Sequence, residues 1–507
     1  MKLFLSNTVV SMTLLFFSGC STSTNVALPI SSDSNEAIEL YKQAWYYWDQ
    51  GEGLKGWGLM EEALALDSDF ILANLYVPTN DPNTWKKYRD KAEVNSANGN
   101  DYEKLAVKMW KASREGRSMD YIDLSKDLVS KYPNSAEAYV ILGDAYTSVN
   151  DFDNAIINYV KALDLNPKEY QAWSGLALHH VTVGNNTMLP KKKQSKEHAI
   201  KYANGLVDSR PNAPYSYQIK GNIERQHNDM KAARSQYQKM VEVAEKTEST
   251  SLGAGYNLIA HTYLFSGDYQ QARKNYDQAA LRSSNKYSKI SYGEFGVWAY
   301  LYEQDYEGAI KAADALDQQL ENYDFSKNEI LGYKANNQFT KFIAHAHNEN
   351  KAGAYNAMQA NFGLREENLS LNTDKDDVTL RNYNSFNTWM ESWYYVLFNE
   401  TENAQRSLED LYAFVKDLQN PDALDGYHSL SGMLNLSNGD AEKALNDFKD
   451  IEKENNVYYA YFKGLALEKV GREDEAQEIF KFLSNWNFQG WQPALVKGLA
   501  KDKVSGT

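Results

Sequence analysis

The chain has 507 residues, of which 43% are hydrophobic and only 10 are proline, a composition that suits long helices and ample burial. Its 68 acidic residues outnumber 53 basic ones, and this balance argues against nucleic-acid binding, which favours a basic face. One cysteine excludes an intrachain disulfide and a cysteine-based metal cage.

The N-terminus predicts export. Lys2 precedes a mostly apolar run, Leu3–Phe17, which is too short to span a bilayer and has the length of a signal-peptide core. The run ends at Cys20, and the segment resembles a bacterial lipobox. That resemblance implies that residues 1–19 are a lipoprotein signal peptide and that Cys20 becomes the lipidated (palmitate-bearing) N-terminus. Because Ser21 is not acidic, the resemblance further implies an outer-membrane destination. We expect the protein to face the periplasm, although the sequence leaves a surface-exposed orientation open.

An ordinary secretory signal with an incidental cysteine is the alternative interpretation of this segment. After the cysteine, residues 20–34 are small and polar with one proline, which predicts a flexible tether. Helical character begins at Asn35 and continues almost to the end of the chain.

A 34-residue unit, Ala136–Glu169, organises the mature part. Two apolar stripes, one on each half of the unit, predict two amphipathic helices, and small residues allow a close crossing. The turn is predicted at Asn150-Asp151, with Asp151 capping the second helix. The pattern resembles the tetratricopeptide repeat (TPR), and it is carried by Tyr139, Leu142, Gly143, Tyr146, Ala155, Tyr159, Ala162 and Pro167.

The pattern recurs along the chain, most clearly in residues 253–286. The repeats predict an all-α fold, a right-handed superhelical solenoid of about eleven TPR-like helical hairpins. We expect an N-terminal TPR array over residues 35–365, a polar linker or loop at 366–384, and a C-terminal TPR array with a capping helix at 385–507.

Catalytic signatures are missing from the sequence, which contains no G-x-S-x-G, H-E-x-x-H or phosphate-loop motif. His345 and His347 stand two apart and would face different directions on a helix, so they predict no metal site. The acidic run 374–377 lacks the glycine and glutamate of a calcium loop. We therefore expect no enzyme, cofactor or metal. A small catalytic insert at 366–384 is the weaker alternative.

The concave groove is the expected binding surface. In TPR proteins, positions 2, 5, 9 and 12 of each unit point into it. The carboxylate clamp of chaperone-binding TPR domains is missing, since Val140 and Asp144 replace its first lysine and asparagine. The groove is expected to bind an extended peptide or a helix. The resemblance implies as groove residues Asp144, Thr147, Gln171, Ser174, Tyr215, Gln218, Asn222, Arg225, Asn257, His261, Glu294 and Trp298.

These features predict a protein–protein interaction scaffold or adaptor of the bacterial cell envelope. Its partners would be envelope proteins or their peptide segments, and a lipid anchor would hold it at the membrane. The alternative is a nutrient-binding lipoprotein similar to the SusD family, since 36 tyrosines and 11 tryptophans suit sugar stacking. Aromatic residues clustered on one exposed loop surface would favour that alternative; aromatic residues buried between helices would not.

Overall fold

The computed structural model describes residues 25–180, 189, 193–373, 375–451 and 456–506. The signal peptide, Cys20, Lys191, Lys192 and Asp374 lie outside these residues. The described part contains 25 α-helices and no strand, which confirms the all-helical fold class. None of the described helices is long and apolar enough to cross a membrane.

The helices follow one another with short connections. They are α1 (Asn35–Asp49), α2 (Gly53–Leu66), α3 (Ile71–Tyr76), α4 (Pro82–Ser96), α5 (Asp101–Arg114), α6 (Ser118–Lys131), α7 (Ala136–Thr147), α8 (Phe152–Leu165), α9 (Tyr170–His179), α10 (Lys196–Ser209), α11 (Pro214–Gln226), α12 (Met230–Lys246), α13 (Leu252–Phe265), α14 (Tyr269–Arg282), α15 (Lys286–Tyr302), α16 (Tyr306–Gln319), α17 (Lys327–His347), α18 (Lys351–Ser370), α19 (Asp377–Leu397), α20 (Thr401–Val415), α21 (Asp425–Ser437), α22 (Ala441–Lys449), α23 (Val457–Lys469), α24 (Glu473–Ser484) and α25 (Trp491–Ser505).

Consecutive helices pair into hairpins. From α1/α2 to α23/α24 each helix packs on its successor, so the described residues form twelve hairpins where about eleven were predicted. The additional hairpin is the short α3/α4 pair, which lies between the first hairpin and α5. Helix α25 follows the last hairpin and packs against α15 as well as α23 and α24.

The hairpin α7/α8 shows why the repeat pattern folds in this way. A Cβ on Gly143 would lie 2.7 Å from the ring of Tyr159, so only glycine lets the two helices approach here. Asn150 has a φ of 61°, the left-handed conformation that turns the chain. Asp151 then accepts a hydrogen bond from the Asn154 backbone N–H at 3.3 Å and caps α8. The predicted turn and cap are confirmed.

The predicted linker at 366–384 differs from the structure. Helix α18 continues to Ser370 and α19 begins at Asp377, so only residues 371–376 connect them. A single hydrophobic cluster runs from Ala260 to Ala500 and includes side chains on both sides of this connection. The two predicted arrays therefore share one core. The polar side chains that suggested a linker belong instead to the last turn of α18 and the first turns of α19.

The tether also requires a correction where it is described. Residues 25–34 lie along the first hairpins instead of standing free. Leu28 is buried, and the Val26 N–H donates to the Asn134 carbonyl at 2.9 Å. The Ser31 N–H donates to the Glu103 carboxylate at 2.8 Å. Only residues 21–24 remain between Cys20 and this docked segment.

The array curls until distant hairpins touch. The loop after α1 meets the start of α13: Glu52 accepts hydrogen bonds from the backbone N–H and the hydroxyl of Thr250 at 2.9 and 2.5 Å. Farther along, Arg114 of α5 pairs with Asp376 at 2.7 Å. These contacts join residues that are about 200 or more positions apart in the chain.

Candidate functional site

An open cavity of about 1030 Å³ lies on the concave side of the first hairpins. Residues 27–30 and helix α1 form one wall, and α6, α7 and α9 form the other. Four predicted groove residues line it together: Asp144, Thr147, Gln171 and Ser174. The repeat rule succeeds here because α7 and α9 are the first helices of adjacent hairpins and present the same face.

Two of these four residues connect the walls of the cavity. The Gln171 amide donates to Asp49 of α1 at 2.8 Å. Ser174 is hydrogen-bonded to the half-buried Tyr215 of α11, another predicted groove residue. Tyr215 thus lies at the edge of the cavity, next to the loop that follows α1. Gln218, one turn later on α11, is half-buried and does not line the cavity.

Acidic groups dominate the electrostatics of this cavity. Asp144 is open to the cavity, but the surrounding protein removes bulk solvent, and this burial raises its pKa to about 6 despite the Tyr159 hydroxyl that donates to it at 2.5 Å. Burial, reinforced by Glu169 and Asp49, raises the pKa of Glu137 to about 7. The raised pKa values indicate that nearby donors and positive charges do not offset the cost of burying these two negative charges.

Glu137 was not among the predicted residues. It lines the cavity from the first turn of α7, one repeat before Gln171. Both residues occupy position 2 of their units, so the rule that identified Gln171 also points to Glu137. The wall residues from α1 carry no such signal, because their position opposite α7 and α9 depends on the curvature of the whole array.

The middle of the predicted groove is closed, which corrects four assignments. Asn222, Arg225, Asn257 and His261 are 1 to 7% exposed and form part of the interior. An Arg225 Nη1–H donates to His261 Nδ1 at 2.7 Å. Asn222 accepts from the Tyr237 hydroxyl at 2.9 Å. Arg225, His261 and Asn222 are therefore engaged by contacts within the protein, and Asn257 is buried beside them with its amide oxygen unpaired.

The segment before α25 covers this region. The Phe488 ring lies 4.3 Å from the Arg225 guanidinium carbon. The Asn487 side-chain N–H donates to the Arg225 carbonyl at 3.1 Å, and the Tyr302 hydroxyl donates to the Phe488 carbonyl at 3.4 Å. The chain thus fills the middle of its own groove with a segment that follows the last hairpin.

The last two predicted residues line a separate, smaller cavity. Glu294 and Trp298 of α15 face a space of about 270 Å³, which Trp491 of α25 borders. Burial raises the pKa of Glu294 to about 7, although a hydrogen bond from Asn336 opposes the shift. This cavity is too small for a peptide segment. Its border with Trp491 also shows that α25 covers this part of the groove.

The histidine pair at 345 and 347 serves packing. His347 contacts the Ile343 carbonyl at 2.9 Å and the Tyr458 hydroxyl at 3.0 Å. His345 Nδ1 lies 3.2 Å from the Asn350 amide. No group of three or more histidine, cysteine, aspartate or glutamate side chains in the described ranges is arranged to hold a metal ion.

Comparisons with known proteins agree with the hairpin geometry. The tetratricopeptide repeat family matches residues 136–169 and 254–286, which are the hairpins α7/α8 and α13/α14. These two segments of the chain are therefore tetratricopeptide repeats, and repeats of this kind support a protein–protein interaction scaffold.

Solved structures show a low overall similarity. The chain is similar to pilF of Pseudomonas aeruginosa, at 14% identity over 44% of this chain and 89% of that chain, with a TM-score of 0.30. It is also similar to the APC/C hetero-tetramer Cut9-Hcn1, at 13% identity over 90% of this chain and 78% of that chain, with a TM-score of 0.36. A comparison with curated proteins finds no match.

Proposed function

We propose that the protein is a scaffold of the bacterial cell envelope, anchored through a lipidated Cys20, that binds a segment of a partner protein in the open cavity. The observation that carries the binding site is the cavity itself. Its volume of about 1030 Å³ lies at the upper end of the range for small-molecule sites, about 300–1,000 Å³, and suits several residues of an extended segment.

The concave surface supports this choice of site by elimination. The stretch around Arg225 is covered by Phe488, and the stretch around Trp298 is bordered by Trp491. The first hairpins keep their concave face open, and four of the residues expected to bind a partner meet there. A partner segment would add to these hairpins without displacing any described part of the chain.

The lipobox-like segment supports a membrane-proximal position for the cavity. Seven positions separate Cys20 from Ala27, which lines the cavity. A fully extended chain of that length spans at most about 25 Å. A lipid on Cys20 would therefore hold the cavity close to the membrane surface, and we expect the partner segment to be membrane-proximal as well.

The binding site is tested by filling the cavity. Ser148 is exposed and lines it, so Ser148→Trp should block a partner while leaving the fold intact. Ser130→Trp, on the exposed face of α6, is the matched control. Partners captured from solubilised membranes by the full-length wild type and the control, and lost from Ser148→Trp, would support the proposal. An identical set of partners for all three proteins would reject the cavity as the binding site.

The anchor is tested separately. Growth with an alkyne-labelled palmitate should label the wild-type chain, and Cys20→Ser should abolish both the label and the membrane association. A wild-type protein that carries no label, or one that stays membrane-bound after the substitution, would contradict the lipid anchor.

Glycan binding of the SusD type finds no support in the placement of aromatic residues. Among the described residues, the exposed large aromatic side chains are Tyr46, Tyr355 and Tyr412, and they lie on three different helices. Large aromatic residues such as Trp393 and Tyr276 are buried between helices. In the described part of the chain no exposed loop surface gathers such rings, and the aromatic residues that line the open cavity stand on helices.

A further inference from the structure

The charges of the open cavity are unbalanced. Asp49, Glu137, Asp144 and Glu169 all line it. Arg210 pairs with Asp49 at 3.2 Å, whereas no described basic residue forms an ion pair with the other three. Lys42 also lines the cavity, but its ammonium binds Glu39 at 2.7 Å. The Arg210 charge also acts on Glu169, so Glu137 and Asp144 are the two wall carboxylates that a ligand could neutralise.

Hydrogen bonding on the α7/α9 side leaves an acceptor without a donor. The Thr147 hydroxyl donates to the Gly143 carbonyl at 3.0 Å, so its oxygen accepts from His179 Nε2, also at 3.0 Å. His179 Nδ1 then carries a free lone pair, and it has no hydrogen-bond partner among the described residues. His179 is 2% exposed and lines the cavity, and its burial lowers its pKa to about 4, which keeps the ring neutral.

Aromatic rings complete the walls. Trp45 and Tyr76 meet edge to face, with their centroids 5.4 Å apart and 77° between the ring planes. The negative face of such a ring attracts a cation that lies over it. The aromatic residues that line the cavity are Tyr41, Trp45, Tyr76, Tyr102, Tyr121 and Tyr159.

We propose that the cavity binds a lysine or arginine side chain of an extended peptide segment, between the carboxylates of Glu137 and Asp144 and the surrounding aromatic rings. This inference rests on the proposed function and names the chemistry of its partner. A cationic N–H donor neutralises the unpaired carboxylates of Glu137 and Asp144, whereas His179 Nδ1 is itself buried and is not a contact for the ligand. An acidic segment would be repelled, and a neutral one would leave these charges uncompensated.

The test uses a random dodecapeptide display library selected against the full-length protein in detergent micelles. We expect lysine and arginine to be enriched at least twofold in the selected peptides. Replacing the key residue by its neutral analogue, acetyl-lysine or citrulline, should weaken binding at least tenfold. The double variant Glu137→Gln/Asp144→Asn should have the same effect, because each amide oxygen keeps its acceptor role while the charge is removed.

The matched control is Glu62→Gln/Asp164→Asn, which removes the same net charge from exposed positions on α2 and α8 and should change binding less than twofold. Ser148→Trp could block binding of the selected peptides while neither the citrulline replacement nor the double variant Glu137→Gln/Asp144→Asn weakens it. That result would overturn the cationic recognition and leave the cavity as a peptide site. If Ser148→Trp weakens the binding of none of the selected peptides, the proposed binding site is overturned, and the cationic recognition with it. Equal losses in the double variant and its control would show a nonspecific charge effect and would also reject the inference.

Discussion

Arg225 and His261 form a buried pair in which an arginine N–H donates to imidazole Nδ1 at 2.7 Å. Because Nδ1 accepts this bond, the imidazole is neutral and carries its proton on Nε2. Burial, together with the Arg225 charge, holds the pKa of His261 well below its usual value. No carboxylate among the described residues pairs with this arginine, so the Phe488 ring above it contributes strongly to its accommodation.

We expect Phe488→Ala to destabilise the protein by about 3–5 kcal/mol, since it removes a fully buried ring and uncovers a buried cation. The midpoint of urea unfolding measures the loss, and hydrogen exchange should increase in α11 around Arg225. Leu499→Ala, at an exposed position of α25, is the control and should change stability by less than about 0.5 kcal/mol. Equal effects of the two substitutions would contradict the role of Phe488.

Glu52→Ala tests the joint between the first hairpin and α13. Glu52 is 4% exposed and its carboxylate accepts two hydrogen bonds from Thr250, so its removal leaves partly buried donors unpaired. We expect a loss of about 1–3 kcal/mol. Hydrogen exchange should also accelerate in α1 and α2. Glu62→Ala, on the exposed face of α2, should change neither the stability nor the exchange rate. A similar response from this control would show that the contact between Glu52 and Thr250 is not the cause.

Two glycine substitutions should change the stability of the protein in opposite directions. Gly143→Ala places a methyl group 2.7 Å from the Tyr159 ring and should cost about 1–3 kcal/mol by overpacking. Gly363→Ala adds a methyl group where nothing lies within 4 Å, inside α18, and should stabilise by about 0.5–1 kcal/mol through helix propensity. Thermal unfolding of both variants measures the difference. Destabilisation by both would show that tolerance of the methyl group is not set by the Tyr159 contact.

The pH dependence of stability should report the charge of Glu137. Its folded pKa of about 7 exceeds the usual value of 4.5, so the folded state holds more protons between these two values. The free energy of unfolding therefore falls as the pH rises through this window, because the unfolded chain ionises more readily. Its neighbours Glu169 and Asp49 act in the same direction, whereas the Leu28 N–H that donates to it opposes the shift.

We expect Glu137→Gln to raise the unfolding temperature at pH 8 by about 1–2 °C, a modest gain because the carboxyl is partly solvated. At pH 4.5 the variant and the wild type should unfold together, since the wild-type group is then protonated in the folded state. Glu62→Gln serves as the exposed control at both pH values. A gain at pH 4.5 equal to that at pH 8 would rule out the charge as the cause.

Local sequence was sufficient to predict the hairpins. The contact between Gly143 and Tyr159 and the cap at Asp151 lie within one 34-residue unit, where helical periodicity decides which side chains meet. The same reasoning extends to the next unit, and for this reason Asp144 and Gln171 were correctly placed on one surface. The prediction of a linker at 366–384 was wrong, because the sequence of a polar, solvent-facing helical segment resembles that of a loop.

The sequence alone thus determined the all-helical class, the repeat and the inner face of the hairpins whose repeat pattern is clear. Tertiary structure decided which part of the inner face remains open. Asn487 reaches Arg225 across 262 residues, and Gln171 reaches Asp49 across 122. Such meetings depend on small rotations that accumulate from hairpin to hairpin. An apolar or polar stripe shows that a face is available for contact, but it does not specify which distant segment will cover it.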